Sequence, residues 1–324
     1  LTTVGFRELA PFGTAEKIFT IVLLVLGVGT TLTALTALFE VVIEGHVGSA
    51  VQTALLSDPA WRALTREAGV AVLYLHALNP HGFAWGRRAT QENVDLNRNF
   101  LDFAQPLPQN AAYDELAALL VPTHWPPNPA GEAVLDRLLS QRGWPEMQRA
   151  ISCGQYGHPE GLFYGGRNPT WSHVTLRQVL REQGRSCAQL GWIDVHSGLG
   201  PWGVGERIFE GRAGDEAEGL RRARAWWGDQ VTCIEDGESV SSAVTGQMMQ
   251  SLYAECPQAP CTGITLEFGT VPLMEVVSAL RAEQWLENHP ESEGSIGREI
   301  RKRFRAAFYP DSDSWRQQVL VQVR

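Results

Sequence analysis

Three short, almost unbroken apolar runs constrain this chain most: VAVLYLHAL at 70–78, LGWIDVH at 190–196 and GITLEFG at 263–269. Each is too short for a typical buried helix and ends near Gly, Pro or His, so each reads as a strand buried on both faces. Segments of helical texture surround them, at about 47–56, 59–69, 111–120, 131–140, 174–184, 214–228, 275–287 and 294–308. Buried strands alternating with helices predict an α/β fold: a mixed, mostly parallel sheet with helices on both faces. The Pro-rich stretch 122–129 reads as a loop.

One segment stands apart. From Ile18 to Phe39 the chain has 22 residues without a charge. That is close to the length that crosses a bilayer core, and a helix of this composition would be apolar on every side. The sequence therefore divides into 1–46, with one long apolar helix at about 16–43, and an α/β domain over 47–324. Two readings of the run stand: a membrane span through 18–39 that anchors a cytoplasmic domain, or a core helix. Composition narrows the partners. Lys+Arg is 27 against Asp+Glu 36, a net charge of −9, with no basic runs. Such a chain is poorly suited to phosphate backbones, so nucleic acid is excluded. Five cysteines without a CxxC pair argue against a disulfide framework and for a reducing compartment.

Polar residues that could carry chemistry cluster at three places. In DLNRNF (95–100), Asn97 and Arg98 sit on a short turn, where a guanidinium and an amide can receive a carboxylate. Arg87 and Arg88 add positive charge nearby; the structural alternative is an Arg–Asp pair holding the loop. In WIDVHSGLG, His196 ends a buried strand at the carboxyl edge of a sheet, where open α/β folds bind ligands; the alternative is a satisfied structural histidine. In TLEFGT, Glu267 lies inside an apolar strand. A buried carboxylate there is either paired in a salt bridge or kept for proton transfer.

Taken in order, DLNRNF, DVHSG and LEFGT resemble the zinc carboxypeptidase clan. HALNPHGFAWGRR, VDLNRNF and GQYGHPEGLFYGGRNPTWS (154–172) are similar to its uncharacterised bacterial DUF2817-type branch, and the likeness covers about 44–310. The resemblance implies a carboxypeptidase-like fold and a zinc-dependent hydrolase that cuts an amide next to a carboxylate-bearing group. Its substrate would be a small peptide or an acyl-amino acid. Carried over, Glu44 and His196 would hold Zn²⁺. Glu267 would be the general base, Asn97 and Arg98 would bind the substrate carboxylate, and Arg88 would stabilise the oxyanion.

The family's first zinc histidine should fall at position 41, and that residue is Val41, so a weakened zinc site is expected. His46 is close in sequence but is not expected to replace it. The alternative is a catalytically dead binding module of the same fold. TTVGF (2–6) and the apolar helix resemble the filter and inner helix of a two-helix potassium channel. A channel fragment joined at VIEGH to a peptidase-like domain is the further reading this implies.

Overall fold

The structure, a computed structural model, describes residues 45–212 and 216–323. The channel-like stretch up to Glu44, the apolar run 18–39, Val41 and Glu44 itself lie outside the described residues. The described residues belong to one compact unit, Val42–Arg324. Among them, no helix is long and apolar enough to cross a membrane.

The elements run α1 (Gly45–Ser57), α2 (Pro59–Glu67), α3 (Pro80–Trp85), α4 (Ala111–Leu120), α5 (Pro129–Arg142), α6 (Trp144–Ser152) and α7 (Trp171–Val179). Then follow β1 (Leu190–Trp202), β2 (Gly205–Glu210), α8 (Glu216–Trp227), β3 (Thr232–Cys233), α9 (Gln250–Glu255) and β4 (Cys261–Gly269). The last helices are α10 (Leu273–Asn288), α11 (Arg298–Phe308) and α12 (Asp313–Gln322). Many helix starts are written in the sequence. Asp58, Asn79, Asn110, Asn128, Thr170 and Ser312 each accept a backbone N–H of the first turn with their side chain.

The four strands form one mixed sheet in the order β1-β4-β2-β3. β1–β4 and β2–β3 are parallel and β2–β4 is antiparallel, so two of the three pairings are parallel. β4 is central and buried along its whole length. One sheet face presents Val195, Leu266 and Phe268 to α1 and α12, and Phe209 and Ile264 to α8. On the other face, Leu190 and Trp192 pack with Leu176 of α7 and Leu252 of α9. Helices thus cover both faces, as the alternating pattern predicts.

Two expectations about strands need correction. The run 70–78 is not a strand of the sheet. Val70, Val72 and Leu73 are 41–56% exposed, and only the later Leu75 and Leu78 reach a core cluster. The segment is tied to α1 and α2 by side chains: Gln52 Nε2 donates to Leu75 O at 3.0 Å, and Trp61 Nε1 to the Tyr74 hydroxyl at 2.8 Å. Apolar content alone does not separate a buried strand from an extended connection, and among the described residues this segment pairs with no strand. β1, read as buried on both faces, is an edge strand, with Ile193 49% exposed. β2 and β3 escaped the sequence reading because GERIFE carries charges and β3 has only two residues.

Candidate functional site

Register builds the floor of a cavity. Side chains alternate across a strand, so every second residue shares a face. Asp194 and His196 on β1 pair with Thr265 and Glu267 on β4, and Thr265 pairs with Ile208 on β2. Glu210, two residues beyond Ile208, continues the same row. His196, Glu267, Thr265, Ile208 and Glu210 all line one cavity of about 150 Å³.

The turn after His196 holds Glu267 in place. Gly198 has φ +138°, a conformation that side chains other than glycine's rarely adopt. This bend brings the Leu199 N–H to Glu267 Oε1 at 2.9 Å. Nδ1 of His196 lies 3.7 Å from Glu267 Oε2, while its Nε2 lies 3.0 Å from Asp194 Oδ2. An Nε2–H donated to Asp194 leaves Nδ1 as the lone-pair nitrogen, beside Glu267.

DLNRNF supplies the opposite wall. Asp95 caps the 3₁₀ turn Leu96–Arg98 by accepting the Asn97 N–H at 2.9 Å, and it pairs with Arg88 Nε at 2.9 Å. Burial pushes the Asp95 carboxyl up, but the Arg88 and Arg98 charges and its hydrogen bonds outweigh this and hold it below the usual carboxylate range. Arg98 is 4% exposed. Its guanidinium donates to Ser152 O through Nε and Nη2 and to Asn97 O through Nη1. These bonds use three of the five N–H groups of a guanidinium. Asn97 Oδ1 accepts the Met248 N–H at 2.8 Å, which orients the amide and reserves its NH₂ group as a donor. Phe163 lies 5.3 Å beneath both Arg88 and Arg98.

Residues 154–172 hold this turn. Asn99 donates to Gly165 O and Asn168 O and accepts from Thr170, and the Tyr156 hydroxyl donates to Arg98 O at 2.8 Å. Gly246 has φ +70°, and a Cβ there would lie 2.2 Å from Arg98 O, so only glycine lets the two segments meet.

The structure therefore brings Arg88, Asn97, Arg98, His196 and Glu267 to one cavity. Glu44 lies outside the described residues. Arg87, the other arginine of the pair, is instead buried against Glu283 at 2.7 Å and Glu287 at 3.0 Å. His46 stacks on Tyr309 with ring centroids 4.9 Å apart and is not part of the cavity lining. Two residues of this site escaped the sequence reading. Asp194 had a visible signal, standing two positions before His196 and so on its face. Glu210 had none while β2 went unrecognised.

A zinc ion needs three protein donors with a fourth position open. Asp194 at the far nitrogen of His196 is the kind of partner that orients a metal-binding imidazole. Among the described residues, however, no group of three or more His, Cys, Asp or Glu is gathered to hold a metal. His196 fits as one ligand, and the described residues alone do not complete a zinc site. The five cysteines are free thiols, so none is tied into a disulfide.

Fold and site together define a mixed α/β protein with a charged cavity near the carboxyl ends of two parallel strands. The chain belongs to the family described as protein of unknown function (DUF2817), whose model matches residues 41–322. No curated protein and no solved structure matches it.

Proposed function

We propose that the chain is a hydrolase of the zinc carboxypeptidase clan that cuts an amide next to a carboxylate-bearing group. The observation that carries this reading is one cavity lined both by the His196–Glu267 pair and by Arg98 with Asn97. In this reading the remaining N–H groups of Arg98 and the Asn97 amide bind the substrate carboxylate. That contact sets the scissile carbonyl against Glu267. Glu267 accepts a proton from the attacking water and passes it to the leaving nitrogen, while Leu199 N–H steadies its other oxygen. Arg88, held by Asp95, donates to the oxyanion. Zn²⁺, held by His196 and, on the family resemblance, Glu44, would polarise the carbonyl and acidify the water when bound.

A second reading rests on Val41. With the first histidine of the zinc set replaced, the same cavity serves as a carboxylate-binding module without turnover. Hydrolysis of a panel of acyl-amino acids and small peptides, run beside metal analysis of the purified protein, separates the two. Release of the free amine supports the hydrolase. Saturable ligand binding with no product supports the module. Neither binding nor product ends both readings.

A further inference from the structure

Glu210 is a charge-bearing group that the proposed chemistry does not use. It closes β2, is 9% exposed and lines the same cavity as Arg98 and Glu267. Its backbone is pinned, because the Tyr253 hydroxyl donates to Glu210 O at 2.6 Å. Its neighbour across the sheet is Gly263, whose missing side chain leaves room for Met249. Among the described residues the carboxyl accepts one hydrogen bond, from the Thr265 hydroxyl. Among the described residues no cation lies within ion-pair distance of it. A buried carboxyl facing a cavity with a single neutral donor is costly unless the cavity's occupant completes its bonding.

The groups around it define what could do so. From β1 come Asp194 and His196, from β4 Thr265 and Glu267, and from the 3₁₀ turn Arg98. Two of these, Asp194 and Glu267, are further carboxyl groups. Ile208, Ile234 and Val244 add apolar lining to the same cavity. An occupant thus meets cationic and amide donors at the DLNRNF wall, an apolar stretch, and a carboxyl at the end of β2.

We propose that Glu210 selects a ligand with two charges: a carboxylate for Arg98 and Asn97, and an ammonium or guanidinium at the end of an apolar stem for Glu210. The ligand class is a basic acyl-amino acid or a peptide with a basic terminal residue. The carboxylate half rests on the function proposed above; the basic half rests on Glu210 alone. Burial pushes the Glu210 carboxyl above its usual range, with Asp194 adding to this and Thr265, His196 and Arg98 opposing it. It therefore holds its proton more tightly than a free glutamate does. An arriving cation favours the ionised form.

The test uses two ligands of nearly equal shape, Nα-acetyl-L-lysine and Nα-acetyl-L-norleucine, titrated into the full chain by calorimetry. A charged hydrogen bond at a desolvated site is expected to favour the lysine compound by about tenfold or more. Glu210→Gln removes that preference and leaves norleucine binding in place. Equal affinity of the unaltered protein for both ligands overturns the Glu210 proposal and leaves the carboxylate reading standing, with no need of a variant. A lysine preference that survives in Glu210→Gln also overturns it. Binding of neither ligand overturns both readings together.

Discussion

His196 and Glu267 occupy paired positions on adjacent parallel strands, and Nδ1 of the histidine lies 3.7 Å from Oε2 of the glutamate. The pairing is a product of register: a slip of one residue in β1 against β4 would turn one of the two side chains to the opposite face. If Glu267 moves the proton, Glu267→Gln keeps its shape and its Leu199 contact but loses the base. Turnover should fall by roughly 10²–10⁴-fold with ligand affinity little changed, as steady-state kinetics and calorimetry would show. A fall in affinity with unchanged turnover would assign Glu267 to binding.

Asn97 offers a test that barely touches the fold. Asn97→Asp preserves the acceptor for the Met248 N–H and replaces the NH₂ donor by a carboxylate oxygen. A carboxylate ligand then meets repulsion where it met a hydrogen bond. Its affinity should drop about tenfold or more while the melting temperature stays within a few degrees. Unchanged affinity would move the carboxylate site elsewhere.

Asp95 links the site to acid stability. Its folded-state carboxyl sits below the usual carboxylate range, so its ionised form contributes stability above that range and loses it as pH falls through the lower folded value. Chemical unfolding as a function of pH should show stability falling below about pH 4. Asp95→Asn keeps the cap on the Asn97 N–H but removes the buried negative charge beside Arg88 and Arg98. It should cost about 3 kcal/mol at neutral pH and flatten that acid limb.

The two neighbouring arginines should part company in the same assays. Arg87 is locked to Glu283, Glu287 and the Asn93 side chain. Arg88 faces the cavity. Glu283→Ala leaves a buried guanidinium with one fewer partner, so the melting temperature should fall, by an amount corresponding to about 3 kcal/mol. Ligand affinity should not change. Loss of affinity without loss of stability would reverse these assignments.

What could be read from the sequence follows a physical pattern. The wall of the site was legible because Asp95, Asn97 and Arg98 lie within four positions and act locally, through a cap and a turn. The central strand β4 was legible because burial on both faces leaves a continuous apolar run, interrupted by Glu267. The run 70–78 misled because the same composition serves an extended segment laid against helices. Glu210 could not be found, since its place depends on β2 inserting antiparallel beside β4, a long-range pairing that GERIFE does not announce. Arg87 and Arg88 could not be told apart with certainty, because direction after the left-handed Gly86 that ends α3 decides which one turns inward.

Metal binding turns on donor number. His196 is oriented by Asp194, Val41 stands at the position where the resemblance puts a histidine, and Glu44 is the other donor it implies. Two protein ligands in place of three should hold Zn²⁺ more weakly than a micromolar dissociation constant, and calorimetry with metal analysis after dialysis would measure it. Val41→His should then tighten binding by about tenfold or more, and His196→Ala should abolish it. Submicromolar affinity in the unaltered chain would show that a third donor is supplied by another residue. Tight binding that survives His196→Ala would place the metal away from this cavity and remove zinc from the proposed chemistry.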